Sequence, residues 1–66
     1  EFVEGVLVET RDQDGVTVLV FEEEEVTVHL GPHQLYPGEW NCVRLNPRGY
    51  VEEVFIGEDW REHLTE

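Results

Sequence analysis

The stretch R-D-Q-D-G-V-T-V-L-V-F, Arg11 to Phe21, places a tight-turn signal directly before an apolar strand. The signal is Asp12-Gln13-Asp14-Gly15, because Asp-Gly between two β-branched segments is typical of a β-hairpin. Val16 to Phe21 is apolar almost without interruption, which predicts burial on both faces or a position in a barrel. The preceding segment, Phe2 to Thr10, supplies the other arm of the hairpin, and Gly5 is predicted to mark a bulge or bend within it.

A run of four glutamates, Glu22 to Glu25, follows this hairpin. We predict an exposed four-residue hairpin loop here, because adjacent like charges are most easily held where water reaches all of them. The apolar alternation keeps the same parity on both sides of the run, so one long bent strand is the alternative. The next strand, Val26 to Leu30, alternates cleanly, with its valines and Leu30 predicted to point inward.

The second half of the chain predicts a loop and two more strands. Gly31-Pro32 ends the third strand, and His33 to Glu39 is predicted to be a loop with one helical turn around His33-Gln34-Leu35 and a tight turn at Pro37-Gly38. Trp40 to Leu45 is the fourth strand. Asn46-Pro47-Arg48-Gly49 fits a type I turn with Pro at its second position and Gly at its fourth.

Tyr50 to Ile56 is the last predicted strand, with Val51 and Phe55 on one face and Tyr50, Val54 and Ile56 on the other. After Gly57, a short helix beginning at Asp59 would place Trp60 and Leu64 on one side. Such a helix is too short to be stable alone, so it either docks or frays.

Five short strands joined by close turns predict an all-β fold, a small five-stranded SH3-like or OB-like barrel with a short C-terminal helical tail. Closing the sheet would also remove its edges. A chain of 66 residues holds one hydrophobic core, so residues 1–66 are interpreted as a single domain. The start at Glu1-Phe2, without an initiator Met, is what we expect of a piece excised from a longer protein.

The segment R-x-x-D-G-V-x-V-L-V, from Arg11 to Val20, resembles the opening of a family of very small prokaryotic β-barrel proteins of unknown function. In that family an acid-rich segment leads to a strand and then to a Leu-Pro-x-Gly loop. Here Val26 to Leu30 and Leu35-Tyr36-Pro37-Gly38 are similar, with Tyr36 inserted between Leu and Pro. The resemblance implies a β-barrel fold and no functional site.

The charge of the chain restricts its partners. Sixteen acidic residues face four arginines and no lysine, which gives a net charge of −12. This charge repels phosphate backbones and anionic lipids and attracts basic proteins, so we expect no direct nucleic-acid binding and no membrane binding. No apolar run approaches the roughly 20 residues of a membrane span, and no signal peptide is recognisable, so a cytoplasmic location is the expectation. Adaptation to a salty cytoplasm is an alternative origin of the acidity.

Catalytic and metal-binding patterns are weak. His29 and His33 are four apart, but Gly31-Pro32 forbids a helix between them, and joint ligation would require the loop to fold back with a residue such as Glu39. Cys42 is interpreted as a buried structural residue, because a strongly acidic protein raises the pKa of a thiol. There is no Gly-rich phosphate loop and no Ser-His-Asp set. We therefore predict a protein that is not an enzyme and needs no cofactor or metal.

Aromatic and acidic side chains supply the candidate binding surface. Tyr36, Trp40, Tyr50 and Trp60 would, if they converge, line a groove bordered by glutamates that suits Arg, Lys or methyl-lysine, or a Pro-rich segment. The alternative, favoured for Trp60, is that the tryptophans serve as core and lid. The candidate binding residues are Glu22, Glu23, Glu24, Glu25, Tyr36, Glu39, Trp40, Tyr50 and Glu52.

Three functions are compatible with these features. The first is an interaction module whose surface recognises a basic or Pro-containing protein segment. The second is an acidic nucleic-acid mimic that inhibits a DNA-binding protein through Glu22 to Glu25. The third is a structural barrel without a ligand, whose acidity is salt adaptation.

Overall fold

The polypeptide forms one antiparallel sheet of five strands, and their order across the sheet is 25–28, 16–21, 2–13, 40–45 and 51–56. The computed structural model describes residues 1–64, with the side chains of residues 1–62. The all-β prediction is confirmed. The strands are β1 (Phe2–Gln13), β2 (Val16–Phe21), β3 (Glu25–Val28), β4 (Trp40–Leu45) and β5 (Val51–Ile56), and a 3₁₀ helix, Trp60–Leu64, follows β5.

The central strand, β1, belongs to two ladders. Its first half pairs with β4 from Phe2 to Val6, and its second half pairs with β2 from Leu7 to Gln13. The bulge lies at Val8, because Leu7 pairs with Phe21 and Glu9 with Val20, which leaves Val8 without an opposing residue. A bulge at Gly5 is therefore excluded, since the register runs through Gly5 without a shift.

Gly5 has a packing role instead. A Cβ atom at this position would lie 3.4 Å from the ring of Phe21. The buried Phe21 ring thus packs directly on the backbone of β1 at this position.

The β1–β2 hairpin turns on two residues, Asp14 and Gly15, which both have positive φ angles of 50° and 85°. This is the pattern of a type I′ turn, for which Asp-Gly is a preferred pair. Because the turn is so short, Asp12 and Gln13 still pair with β2. As a result β1 extends three residues beyond its predicted end at Thr10.

The core lies on one face of the sheet and contains the residues predicted to point inward from the third strand. Val28 is fully buried there, and Val26 and Leu30 pack against it. The other buried core residues come from all parts of the chain: Val3, Leu7, Leu19, Phe21, Leu35, Val43, Leu45 and Val51.

The face assignment for β5 was wrong. Val51 and Val54 both contribute to the core, although they are three apart. The reason is a register shift between β4 and β5: Leu45 pairs with Val51 and Arg44 with Glu53, so Glu52 is an extra residue. A bulge of this kind reverses the alternation of side chains, which a strict two-residue period does not anticipate.

The sheet is not closed into a barrel, so the predicted SH3-like or OB-like closure is not confirmed. Its two edge strands, β3 and β5, are connected by one isolated bridge just beyond β3, between His29 and Tyr50. Two backbone hydrogen bonds accompany this bridge, from His29 N–H to Gly49 O (2.9 Å) and from Val51 N–H to His29 O (3.0 Å).

The connections follow the turn residues closely. Glu22 to Glu24 form the loop between β2 and β3, as predicted, although Glu25 already begins β3. Residues 33–36 have no regular secondary structure, so the predicted helical turn is absent, and Leu35 is buried in the core. The Pro37-Gly38 turn is closed by a hydrogen bond from Glu39 N–H to Tyr36 O (3.3 Å).

Asn41 holds the loop between β3 and β4 against the sheet. Its buried side chain donates to Tyr36 O (2.9 Å) and Glu39 O (2.8 Å) and accepts from Tyr36 N–H (3.1 Å). The predicted turn at Asn46 to Gly49 is closed by a hydrogen bond from Gly49 N–H to Asn46 O (3.0 Å).

The C-terminal tail docks on the sheet. Its 3₁₀ helix, Trp60–Leu64, is called the lid below, and Trp60 is only 3% exposed. The prediction that Trp60 and Leu64 share one side cannot be compared, because the side chain of Leu64 lies outside the described residues.

Candidate functional site

The lid covers the face of the sheet opposite the core. Phe2, Glu4, Cys42 and Phe55 share this outer face, since Glu4 pairs with Cys42 and Cys42 with Phe55 across the ladders. Trp60 stacks on Phe55 with ring centroids 4.9 Å apart and lies 5.1 Å from Phe2. The Cys42 side chain is fully buried in this second, smaller cluster.

Glu4 connects the lid to the sheet. Its Oε1 atom accepts a hydrogen bond from the indole N–H of Trp60 (2.9 Å) and another from that of Trp40 (3.1 Å). Its Oε2 atom receives the guanidinium of Arg61 (2.9 Å). Arg61 also lies over the Trp60 ring, 4.6 Å from its centroid. One carboxylate therefore binds three donors from β4 and the lid.

These contacts determine the ionisation of the two titratable groups in the cluster. The hydrogen bond from Trp60 lowers the pKa of Glu4, and the hydrogen bond from Trp40 and the charge of Arg61 act in the same direction against the opposing effect of desolvation. Burial, and after it the negative charge of Glu4, raise the pKa of Cys42 to about 11. The thiol is thus neutral and inaccessible, as expected of a structural cysteine.

A pocket of about 170 Å³ lies beside Glu4. Four glutamates and several apolar residues line it. The lining residues are Glu4, Gly5, Val6, Phe21, Glu22, Glu23, Glu24 and Trp40.

The pocket exists because the β2–β3 loop is tied to β1. Glu22 N–H donates to Val6 O (3.1 Å), which brings the glutamate run to the position where β1 pairs with the start of β4. Trp40 is the partner of Val6 in that ladder. The loop itself is closed by a bond from Phe21 N–H to Glu24 O (2.8 Å).

Four of the nine residues predicted to bind a partner meet in this pocket: Glu22, Glu23, Glu24 and Trp40. They come from two groups that the sequence had suggested as separate surfaces. Glu25 is exposed in β3 and does not line the pocket. Tyr36 and Glu39 belong to the loop before β4 and are exposed, but they do not line it either.

Tyr50 and Glu52 lie elsewhere. Trp40 is opposite Gly57 and Tyr50 is opposite Asn46, so six residues of strand separate the two backbone positions by about 20 Å along the sheet. Tyr50 stacks on His29 with a centroid distance of 4.3 Å. Glu52 is paired with Arg44 (2.9 Å). The four aromatic residues therefore do not form one groove, and Trp60 is the buried lid residue that the alternative predicted.

The pocket also contains residues that the sequence did not suggest. Glu4 is one of many exposed-looking acids in a strand, and its role depends on Trp40 and Arg61, which are 36 and 57 positions away. Phe21 and Val6 were assigned to the strands alone. The indole N–H groups, which need an acceptor when buried, were the one signal that could have pointed to a carboxylate partner.

The part of the chain that the structure describes contains neither a cluster of metal-binding side chains nor a helix that could span a membrane. Within it, no group of three or more His, Cys, Asp and Glu side chains is arranged to hold a metal ion. None of its helices is long and apolar enough to cross a membrane.

Comparison with known proteins gives no relative from which a function could be carried over. No protein-family model matches the sequence, and searches of curated proteins and of solved structures found no match either. The resemblance to small prokaryotic β-barrel proteins stays a prediction.

Proposed function

We propose that this protein is a non-enzymatic interaction module that recognises a basic segment of a partner protein, and that the pocket beside Trp40 is its binding site. The observation that carries the proposal is the coincidence of Trp40, Phe21 and four glutamates around one cavity of about 170 Å³. An aromatic wall attracts a cation through its quadrupole, and neighbouring carboxylates pair with it.

The overall charge supports the same kind of partner. A net charge of −12 attracts basic proteins over a distance set by the ionic strength and raises the rate of encounter with them. The pocket then provides a position where one cationic side chain is partly shielded from water. Long-range attraction and a defined contact thus favour the same ligand.

We further propose that the open sheet is an incomplete barrel of the SH3-like or OB-like kind. The bridge between His29 and Tyr50, which connects the two sheet edges at one point, supports this interpretation. A Pro-containing segment, the other ligand suggested by the sequence, would need an aromatic groove. Because Tyr50 lies about 20 Å from Trp40 along the strand, a basic ligand fits better.

The test compares two triple variants that remove the same charge. One carries Glu22→Gln, Glu23→Gln and Glu24→Gln in the pocket, and the other carries Glu25→Gln, Glu39→Gln and Glu52→Gln outside it. Each changes the net charge from −12 to −9, since three negative charges are lost. Binding of a fluorescein-labelled peptide rich in Arg and Lys is measured by fluorescence anisotropy.

We expect the pocket variant to lose about tenfold or more in affinity, which corresponds to about 1.4 kcal/mol, and the outside variant to lose much less. Equal losses in the two variants would show that only long-range charge matters and would exclude the pocket. Absence of binding to the unmodified protein would contradict the function itself.

A further inference from the structure

Arg61 shows how a guanidinium is held beside the pocket. It pairs with Glu4 Oε2 at 2.9 Å and lies over the Trp60 ring at 4.6 Å, so one cation meets a carboxylate and an aromatic face together. The pocket combines the same residue types, because Trp40 lines it together with Glu22, Glu23 and Glu24. The chain thus contains its own example of the contact that we propose for a ligand.

Glu4 belongs to both arrangements. It lines the pocket, and its Oε2 atom is the acceptor for Arg61. Its other oxygen already accepts two indole N–H groups. A cation that entered the pocket would therefore find Oε2 as the available oxygen of Glu4, and Arg61 would be its competitor.

Building on the proposed function, we propose that the pocket selects an arginine side chain of the partner, and that Arg61 competes with this arginine for Glu4. The planar guanidinium has five donors, stacks on aromatic rings and is weakly hydrated, whereas the lysine ammonium is a compact and strongly hydrated charge. A pocket lined by Trp40 and four glutamates therefore favours the arginine guanidinium over the lysine ammonium.

The exposure of Arg61 makes the competition reversible. Its side chain is 65% exposed, so its ion pair with Glu4 is screened by water and salt. Trp60, in contrast, is buried and hydrogen-bonded to the other oxygen of Glu4. Displacement of Arg61 can thus occur while the lid stays docked.

The experiment measures the affinity of three labelled peptides, Gly-Gly-X-Gly-X-Gly-Gly with X as arginine, lysine or citrulline, by fluorescence anisotropy at low ionic strength. We expect the arginine peptide to bind about threefold or more tightly than the lysine peptide, and the uncharged citrulline peptide to lose its binding. Lysine binding as tight as arginine binding would overturn the selectivity.

Competition is tested with Arg61→Gln against Arg11→Gln. Both variants change the net charge from −12 to −13, since each removes one positive charge, but Arg11 pairs with Glu9 in the β1–β2 hairpin. We expect Arg61→Gln to bind the arginine peptide about threefold to fivefold more tightly than Arg11→Gln. The reason is that the peptide no longer has to break the exposed ion pair between Arg61 and Glu4. Arg61→Lys should stay close to the unmodified protein.

Failure of the competition by Arg61 and failure of the proposed function would give different results. Equal affinities of the two Gln variants would exclude competition by Arg61 while the proposed function stands. No binding of the arginine peptide to any of the proteins would contradict the proposed function as well.

Discussion

Glu4 illustrates how one side chain can link distant parts of a small protein. Its carboxylate accepts hydrogen bonds from Trp40, Trp60 and Arg61, and none of these contacts is local in the sequence. A buried indole N–H without an acceptor would be unfavourable, so the carboxylate compensates for the burial of Trp60. Because its side chain is 24% exposed, part of its charge remains solvated.

We expect Glu4→Gln to lower the free energy of unfolding by about 1 kcal/mol at neutral pH. The amide oxygen still accepts from the indoles, but the charge assistance and the ion pair are lost. Denaturant unfolding measures the change. The control, Glu9→Gln, removes an exposed pair with Arg11 and should change stability by less than about 0.5 kcal/mol.

The difference in the free energy of unfolding between the unmodified protein and Glu4→Gln should depend on pH. The pKa of folded Glu4 lies below the ordinary value of 4.5, so its charge contributes fully to the stability of the fold above pH 4.5. As the pH falls below 4.5 and through the lowered folded pKa, the carboxyl becomes neutral and the contribution disappears. The free energies of unfolding of the unmodified protein and of Glu4→Gln, measured at several pH values, should therefore converge in acid. A difference that stays constant down to pH 2 would contradict the role of the charge.

At the scale of elements, turns and strands were predictable because their signals are local. Asp14-Gly15 and Asn46 to Gly49 specify their turns through φ preferences and side-chain hydrogen bonds. The two bulges were not predictable, since Val8 and Glu52 look like ordinary strand residues and only the pairing partner reveals the extra position. The pocket was half predictable: the glutamate run and Trp40 stood out, but their meeting depends on the bond between Glu22 and Val6.

The lid is an element whose docking can be followed through the cysteine it helps to cover. Cys42 is fully buried in the cluster with Trp60, Phe2 and Phe55, and it is the single cysteine of the chain. We expect Trp60→Phe to keep the ring stack but lose the N–H donor, which should weaken docking by about 1 kcal/mol. The rate of Cys42 labelling by a thiol reagent should then rise about fivefold.

The labelling needs a control at a distant aromatic residue and a check on the fold. Tyr50→Phe alters an aromatic side chain at the opposite end of β5 and should leave the Cys42 rate unchanged. Circular dichroism should show the sheet intact in both variants. An unchanged rate in Trp60→Phe would mean that the thiol is protected by the sheet and not by the lid.

For the whole molecule, charge acts on stability and on binding in opposite directions. At −12, the folded chain concentrates repulsion that salt screens, with a Debye length of about 10 Å at 0.1 M and about 3 Å at 1 M. Stability should therefore increase with salt, whereas affinity for a basic peptide should decrease. A purely structural protein adapted to salt would show the first effect without the second.

We expect the free energy of unfolding in 1 M NaCl to exceed that in 10 mM NaCl by about 1 kcal/mol or more, as measured by urea unfolding, because self-repulsion weakens as the Debye length shortens. The variant with Gln at positions 22–25 has a net charge of −8, since four negative charges are removed from −12, and it should gain less from salt. Peptide affinity should fall over the same salt range in the unmodified protein. Affinity indifferent to salt, together with a stability gain, would favour salt adaptation over recognition of a basic partner.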